Sequence, residues 1–400
     1  MTQPATVRPA AIAYPDDPVA HATSLESLVA GQRGSMDAER RLPSEVVEAM
    51  WANGIRRAAV PTDLDGPAWD PVTQVRVVEE LSRLDGSIGW CAMIASAASY
   101  VSGFLVPDAA RRWFGRPDAC LAGQLAPTGR AKRVPGGYRV SGRFRFASGS
   151  GHATMMIAGC LVEVDGEVAR HANGRPEMRS AIFEPSKCTV LDTWHTTGLW
   201  ATGSNDYVVD DLFVAEEDSW DPAGKMLRTE PLYRYPPLFL VPHCGVPLGI
   251  ARAAIDTLVD LASSKEQIPG SLRSGGGPTL REDGRVQEAV AVAEAKLGAA
   301  QALVYRTVEE LWDVLQRGER VSPRLRGMYR ITMSWCHQTG KEVVELMYDT
   351  ASGSAIYRDN PLDRQMRDIL TACQHRMVHP RLYRPGGRLL LGLDSGDPMV

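Results

Sequence analysis

Between Val286 and about Gln316 the chain carries no proline and a single glycine, Gly298, in a run rich in alanine, glutamate and leucine. At 1.5 Å rise per residue such a run makes a helix roughly 45 Å long. One small domain cannot bury a rod of that length, so it must pack beside other long helices. The same chain supplies them: Gly249 to Ser264 before it, then Pro323 to about Tyr348 and Pro361 to about Val378 after it. The apolar residues of the rod (Val290, Ala293, Leu297, Ala300, Leu303, Val304, Val308, Leu311) occupy more than one face, more than a single bundle covers, which points to an oligomer.

Helical signals also fill the chain from about Leu25 to Gly115. Ser44 is placed to cap a helix that carries Val46, Val47, Met50 and Trp51 and stops at Asn53-Gly54. Asp70-Pro71 opens a second one, with Val72, Val75, Val78, Leu81 and Leu84, closing at Asp85-Gly86. The stretch from Ser87 to about Leu105 is small and apolar all round, the pattern of a buried helix. Glycine, serine and tyrosine break it below the ~20 apolar residues of a membrane span. Ahead of these helices, prolines at 4, 9, 15 and 18 mark a loose tail and not a signal peptide.

Composition changes between about Asp118 and Ser219, where short strand-forming stretches alternate with turn dipeptides. Met155–Val164, Ala181–Phe183, Thr189–Leu191 and Tyr207–Val214 read as strands of a small antiparallel β-domain, with turns at Asn173-Gly174 and Gly203-Ser204. At its centre lies GGYRVSGRFRFASGSGHATMMIAG, residues 136–159. Tyr138, Val140, Phe144 and Phe146 alternate with arginines in the period-two pattern of a half-buried strand. That strand ends in Phe146-Ala147-Ser148-Gly149-Ser150-Gly151, where glycines let backbone approach a flat ligand and two hydroxyls meet its edge. An ordinary β-turn explains the hairpin by itself.

Several function classes are excluded by composition. Net charge is −4 with a pI near 6.1, which leaves no basic footprint for nucleic acid. Hydrophobic residues at 44% and charged residues at 23% fit neither disorder nor a membrane protein. The seven cysteines are scattered, with no CxxC pair, as in a reduced, cytoplasmic protein. Residues 271–278, SLRSGGGP, lack the GK[ST] ending of a phosphate-binding loop, and no GxGxxG follows a strand. His375 and His379 stand four apart, but Arg, Met and Val between them provide no HExxH glutamate, so no metal site is expected.

The order GGY-VSGR-F-FASG--HA resembles the flavin-contacting hairpin of flavin-dependent monooxygenases built on the acyl-CoA dehydrogenase fold, and the resemblance runs from about Arg41 to Leu391. It implies an α+β, mostly α fold. A flexible tail (1–22) would precede an N-terminal helical domain (23–117), a central antiparallel β-domain (118–222) and a C-terminal four-helix bundle (223–400). It also implies a homotetramer that takes reduced FMN or FAD from a separate flavin reductase. Dioxygen would be activated as a C4a-hydroperoxide and a small organic substrate hydroxylated. On the same basis Ser148 meets the flavin N5 region, Phe146 packs near the ring, and Gln124 and Leu125 meet its pyrimidine side. RQMRDILTACQH matches the family signature at Arg367, Asp368 and His375, giving His375 a catalytic role and Arg367 a place at the cofactor; a helix-end histidine held by the dipole is the plain alternative. Ser352 and Gly353 fall where relatives have a flavin-contacting turn, and a helix-ending turn explains them equally.

This chain departs from the family pattern in ways that bear on the substrate. Phenol-hydroxylating members carry a histidine about two helical turns after the Gly-Trp matched by Gly89-Trp90, where this chain has Ala98. With Trp90 and Ala98 lining the pocket and His152 and His195 as further candidates there, a polycyclic or natural-product substrate is expected over a simple phenol. The alternative of an acyl-CoA dehydrogenase or desaturase needs a carboxylate base where this chain reads Thr-Ala-Cys-Gln-His. A catalytically silent scaffold subunit is a third reading, testable by flavin binding.

Overall fold

The computed structural model describes residues 13–265 and 279–397, so the glycine-rich stretch 271–278 lies outside the described residues. Asp17 accepts hydrogen bonds from the Val19 and Ala20 N–H groups and starts α1 (Pro18–Ser24). Residues 18–22, expected to end a loose tail, are therefore helical, and Ala22 is buried. α2 (Glu26–Glu39) and α3 (Ser44–Ala52) follow. Ser44 is the first residue of α3 and not its cap, because Pro43 takes the extended cap conformation one position earlier. α4 (Pro71–Leu84) starts as its sequence dictates, with Asp70 accepting from the Val72 and Thr73 N–H groups. Asp85 does the same for α5 (Gly86–Ser99), which is buried on almost every side, and α6 (Pro107–Phe114) closes the segment.

Among the described residues eight strands form one sheet: β1 (Leu121–Val134), β2 (Gly137–Ala147), β3 (Met155–Val164), β4 (Glu167–Val168), β5 (Met178–Phe183), β6 (Thr189–Leu191), β7 (Asn205–Ala215) and β8 (Ser219–Trp220). Their order is β6-β7-β2-β1-β3-β5-β8, with β4 on β3. The sheet is mixed and not wholly antiparallel as expected: β1 pairs antiparallel with β2 but parallel with β3. A parallel pair needs a crossover, and β2 with the turn after it supplies one, carrying the chain past β1 to its far edge. Phe144 and Tyr207 stack in the core of the sheet with ring centres 5.1 Å apart.

The C-terminal helices are α7 (Gly245–Ser264), α8 (Gly284–Gln316), α9 (Pro323–Ala351), α10 (Pro361–Ala372) and α11 (Tyr383–Leu390). α10 stops six residues short of the expected Val378, and His375 and His379 therefore do not share a helix face. Pro380 forces His379 into extended backbone, and the histidine instead caps a short turn by accepting from Arg381 N–H. Pro236–Ser264 is the one helical stretch among the described residues with the length and apolarity to cross a membrane, and 83% of that window is buried inside the molecule. α4 and α5 share one core with α7, α8 and α9, through Val75, Leu81 and Trp90 against Leu248, Leu297 and Met333.

Candidate active site

Three distant parts of the chain meet at the end of β2. Trp90 comes from α5, Ser148 follows β2, and His375 follows α10. The Trp90 indole Nε1–H donates to Ser148 Oγ at 3.1 Å, and the ring centres of Trp90 and His375 lie 5.5 Å apart, nearly perpendicular. From Ser148 a chain of hydroxyls runs inward: Ser148 to Ser204 at 2.6 Å, Ser204 to Thr202 at 2.7 Å, and Thr202 to the Leu199 carbonyl at 2.7 Å. A carbonyl can only accept, so Thr202 gives its proton to Leu199, Ser204 gives its own to Thr202, and Ser148 gives its own to Ser204. Ser148 is thus left with acceptor capacity only.

An open apolar platform lies beside it. Phe146, 61% exposed at φ 60°, meets Trp194 edge-on at 6.3 Å between ring centres, and Leu125 is 38% exposed. The pairing of β1 with β3 breaks between Gln124 and Gly129, which takes Leu125–Thr128 out of the ladder. Gly159 permits that bulge, since a Cβ there would stand 2.2 Å from the Leu125 carbonyl. The Gln124 side-chain carbonyl accepts from Arg145 N–H at 2.9 Å and so braces the bulge against β2.

Behind His375 stands His243, from the apolar turn Pro236–Cys244 ahead of α7. It is 2% exposed, with ring centres 5.0 Å from His375 and 6.4 Å from Trp90. Burial holds His375 neutral, its pKa pushed down to about 4. Burial also holds His243 well below the ordinary imidazole range, helped by its neighbours His375, His337 and Arg330. His337 on α9, fully buried, is likewise pushed down to about 4.

A buried ionic knot fastens the three segments. Arg364 of α10 pairs with Asp85, the cap of α5, at 2.7 Å, and also with Asp37 of α2. Asp368 accepts from Leu199 N–H at 2.6 Å, so the loop that ends the hydroxyl chain is tied to α10. Burial and the nearby Asp85 raise the pKa of Asp368 in spite of Arg364. Gly86 and Gly198 make room for the knot: a Cβ would stand 2.7 Å from Asp368 Oδ2 at the first and 2.1 Å from the Arg367 carbonyl at the second.

Not every residue singled out in the sequence joins this group. Arg367 lies over the Trp200 ring at 4.3 Å and spends its donors on Asp363 and the Thr197 carbonyl. His152 packs edge-on against Trp51, with its pKa pushed down to about 4 by burial and Arg56. His195 is exposed beside Asp192. Ser352 and Gly353 are exposed at the C-terminal end of α9, with Ser352 at φ 55°. Ala98 is half-buried two turns beyond Trp90, against the cluster of Val101, Leu105 and Trp113. Sequence reasoning matched Thr202-Gly203-Ser204 to a family signature without giving its hydroxyls a role, and passed over His243 and the acceptor role of Asp368. The Thr-Gly-Ser run offered two hydroxyls, but it reads as a turn.

Family models for the acyl-CoA dehydrogenase N-terminal and C-terminal domains match residues 23–113 and 241–380. An indole-3-acetate monooxygenase of Pseudomonas putida is 30% identical over 95% of this chain and 96% of its own length. The oxygenase component of an FADH2-dependent resorcinol hydroxylase from a Rhizobium species is 28% identical over 89% of each. Among solved structures, 3-HSA hydroxylase from a Rhodococcus species superposes with a TM-score of 0.86 over 96% of this chain and 99% of that one, at 23% identity. XiaF from a Streptomyces species, in complex with FADH2, superposes with a TM-score of 0.84 over 96% of both chains, at 24% identity.

Proposed function

The chain belongs to the acyl-CoA dehydrogenase family, and from that premise we propose that it is the oxygenase component of a two-component flavin-dependent monooxygenase. The observation that carries this reading is the polarity of the hydroxyl chain. Reduced flavin bears a hydrogen on N5 and oxidised flavin does not; Ser148, its own proton spent on Ser204, is built to accept from the former. The apolar platform of Phe146 and Leu125 fits a flat ring, and the bulge at Leu125–Thr128 offers backbone groups to its polar edge.

Reduced FMN or FAD, when bound, supplies the two electrons that turn dioxygen into an oxygen-transfer reagent. The residues of the chain do the rest. Ser148 holds the cofactor by its hydrogen-bearing edge, while Trp90 fixes Ser148 from the side. Trp90 and His375 present their rings to the same space, where an aromatic substrate is held beside the cofactor. No carboxylate occupies the 371–375 stretch, Thr-Ala-Cys-Gln-His, where an acyl-CoA dehydrogenase needs a base. The substrate is an aromatic compound larger than a monocyclic phenol, since phenol-hydroxylating members carry a histidine where this chain has Ala98, which packs against Val101, Leu105 and Trp113. A separate flavin reductase delivers the cofactor, and the protein works as a cytoplasmic homotetramer.

Anaerobic titration of the purified protein with reduced and with oxidised FMN and FAD tests this directly. Reduced flavin should bind at least about tenfold tighter, as one ligand–protein hydrogen bond to an unmatched acceptor predicts. Addition of dioxygen with indole-3-acetate or a polycyclic phenol should then give a hydroxylated product. Preference for oxidised flavin together with desaturation of an acyl-CoA would overturn the reading.

A further inference from the structure

We propose that His243 is the positioning residue that makes His375 a proton acceptor toward the substrate, by taking the His375 Nδ1–H on its own Nε2 and leaving His375 Nε2 bare. The proposal rests on the monooxygenase reading and adds to it the direction in which the substrate's proton travels.

Tautomers are fixed from the inside outward. His243 Nδ1 lies 3.1 Å from the Leu240 carbonyl, which can only accept, so Nδ1 carries the proton. A neutral ring then has a bare lone pair on Nε2, and that atom is sealed from solvent without a partner. His375 Nδ1 is sealed and without a partner in the same way. The ring centres lie 5.0 Å apart at 36° with no hydrogen bond between the rings as they stand, and a turn of the His375 ring about its soft χ2 torsion would bring Nδ1 towards His243 Nε2 while the Leu240 bond holds His243 in place. One bond, His375 Nδ1–H to His243 Nε2, satisfies both atoms. With Nδ1 protonated and the ring neutral, His375 Nε2 is an acceptor.

The groups facing this pair support neutrality. They are Trp90 from α5, and His337 and Arg330 from α9. Arg330 opposes a resting imidazolium on His243, and burial by itself pushes the His375 pKa down to about 4. So weak a base leaves a ring O–H or N–H intact in the bound substrate. It acts when oxygen transfer makes the ring positive and that proton strongly acidic. The substrate's O–H or N–H bond then breaks, its electron pair returns to the ring, and a new N–H bond forms on His375 Nε2. The imidazolium so formed is held through Nδ1–H by His243. The oxidant is dioxygen with the electrons of reduced flavin, as in the proposed activity. His337 is the rival acceptor: its Nδ1 lies 2.8 Å from the Met333 carbonyl, and its buried Nε2 is also without a partner.

Histidine-selective 15N NMR on the flavin-free protein tests the tautomer, with the eight histidines assigned by single substitutions. His375 should be protonated on Nδ1 and bare on Nε2. His243→Phe should shift the proton to Nε2, His243→Gln, whose carbonyl accepts, should restore the wild-type signal, and His337→Phe should change nothing at His375. In the loaded enzyme His243→Phe should lower kcat for hydroxylation about tenfold or more with KM within about twofold, peroxide release should rise, and His243→Gln should recover most of the loss. A wild-type His375 protonated on Nε2, or control of its tautomer by His337, would overturn the proposal, and the wild-type spectrum decides even if His243→Phe fails to fold. The expected tautomers in a protein that binds no reduced flavin and hydroxylates nothing would instead overturn the monooxygenase reading.

Discussion

At the scale of single residues, the site depends on which way a few protons point. Ser148 is buried, receives the Trp90 N–H and gives its own proton inward to Ser204. Ser148→Ala removes both bonds and leaves the indole N–H without an acceptor, a cost of about 1–3 kcal/mol. We therefore expect an intact fold with melting lowered by a few degrees, and at least tenfold weaker binding of reduced flavin with little change for oxidised flavin. Fluorescence titration of both forms checks it; equal losses for the two would mean that Ser148 does not read the cofactor's redox state. Ser148, Trp90 and His375 were visible in the sequence because each sits in a motif of its own. Their partners were not. Thr202 and Ser204 look like turn residues, and His243 lies in an apolar run where a histidine reads as filler, so only the fold shows that these residues point at the same space.

Elements carry the second level of organisation, since each site residue is aimed by the strand or helix behind it. The bulge in β1 exists because Gly159 on β3 lets the Leu125 and Ala126 carbonyls approach. Gly159→Ala should push Leu125–Thr128 off the sheet at about 1–3 kcal/mol, with flavin binding lost and helical circular dichroism unchanged. Unaltered flavin affinity in that variant would separate the bulge from the site. The ionic knot makes a sharper comparison. Asp368→Ala leaves the buried Leu199 N–H unpaired, whereas Asp368→Asn keeps an acceptor and resembles the protonated acid that burial already favours. Denaturant unfolding should show Asp368→Ala about 2 kcal/mol less stable and Asp368→Asn within about 0.5 kcal/mol of the wild type. Similar losses in both would assign the stability to charge and not to the Leu199 bond. Element positions were largely readable, because proline, aspartate and glycine punctuate the helices. The parallel β1–β3 pair was not, as strand direction depends on a crossover that local pattern leaves open. Nor was the end of α10 at Ala372, where helix-forming side chains run on and neither a glycine nor a nearby proline marks the stop.

Over the whole molecule the helices on either side of the sheet close on a single core, and His243, His337 and Arg330 are sealed inside it. Exposed Ile356, Tyr357, Leu391 and Leu393 remain on the outside, consistent with the proposed tetramer, which light scattering at micromolar concentration should confirm. Sealing histidines in a core makes stability depend on acid. His337 releases its proton near pH 4 when folded and near 6.5 when unfolded, because burial penalises the charged ring. Between those values the unfolded chain binds more protons, so the contribution of His337 is intact above pH 6.5 and is lost as the pH falls towards 4. Between pH 7 and pH 5 that loss is on the order of 2 kcal/mol for this residue. Asp368 and Glu79, whose acids are pushed up by burial, work in the opposite direction, so the wild-type profile alone does not isolate the effect. Comparison with His337→Leu does, since the other groups titrate in both proteins. The unfolding free energy of the wild type should fall by about 2 kcal/mol more than that of His337→Leu between pH 7 and pH 5, measured in urea at constant ionic strength. Parallel losses would show that His337 takes up its proton without unfolding the core, through water or a partner reaching Nε2, and that the histidine cluster is open and not sealed.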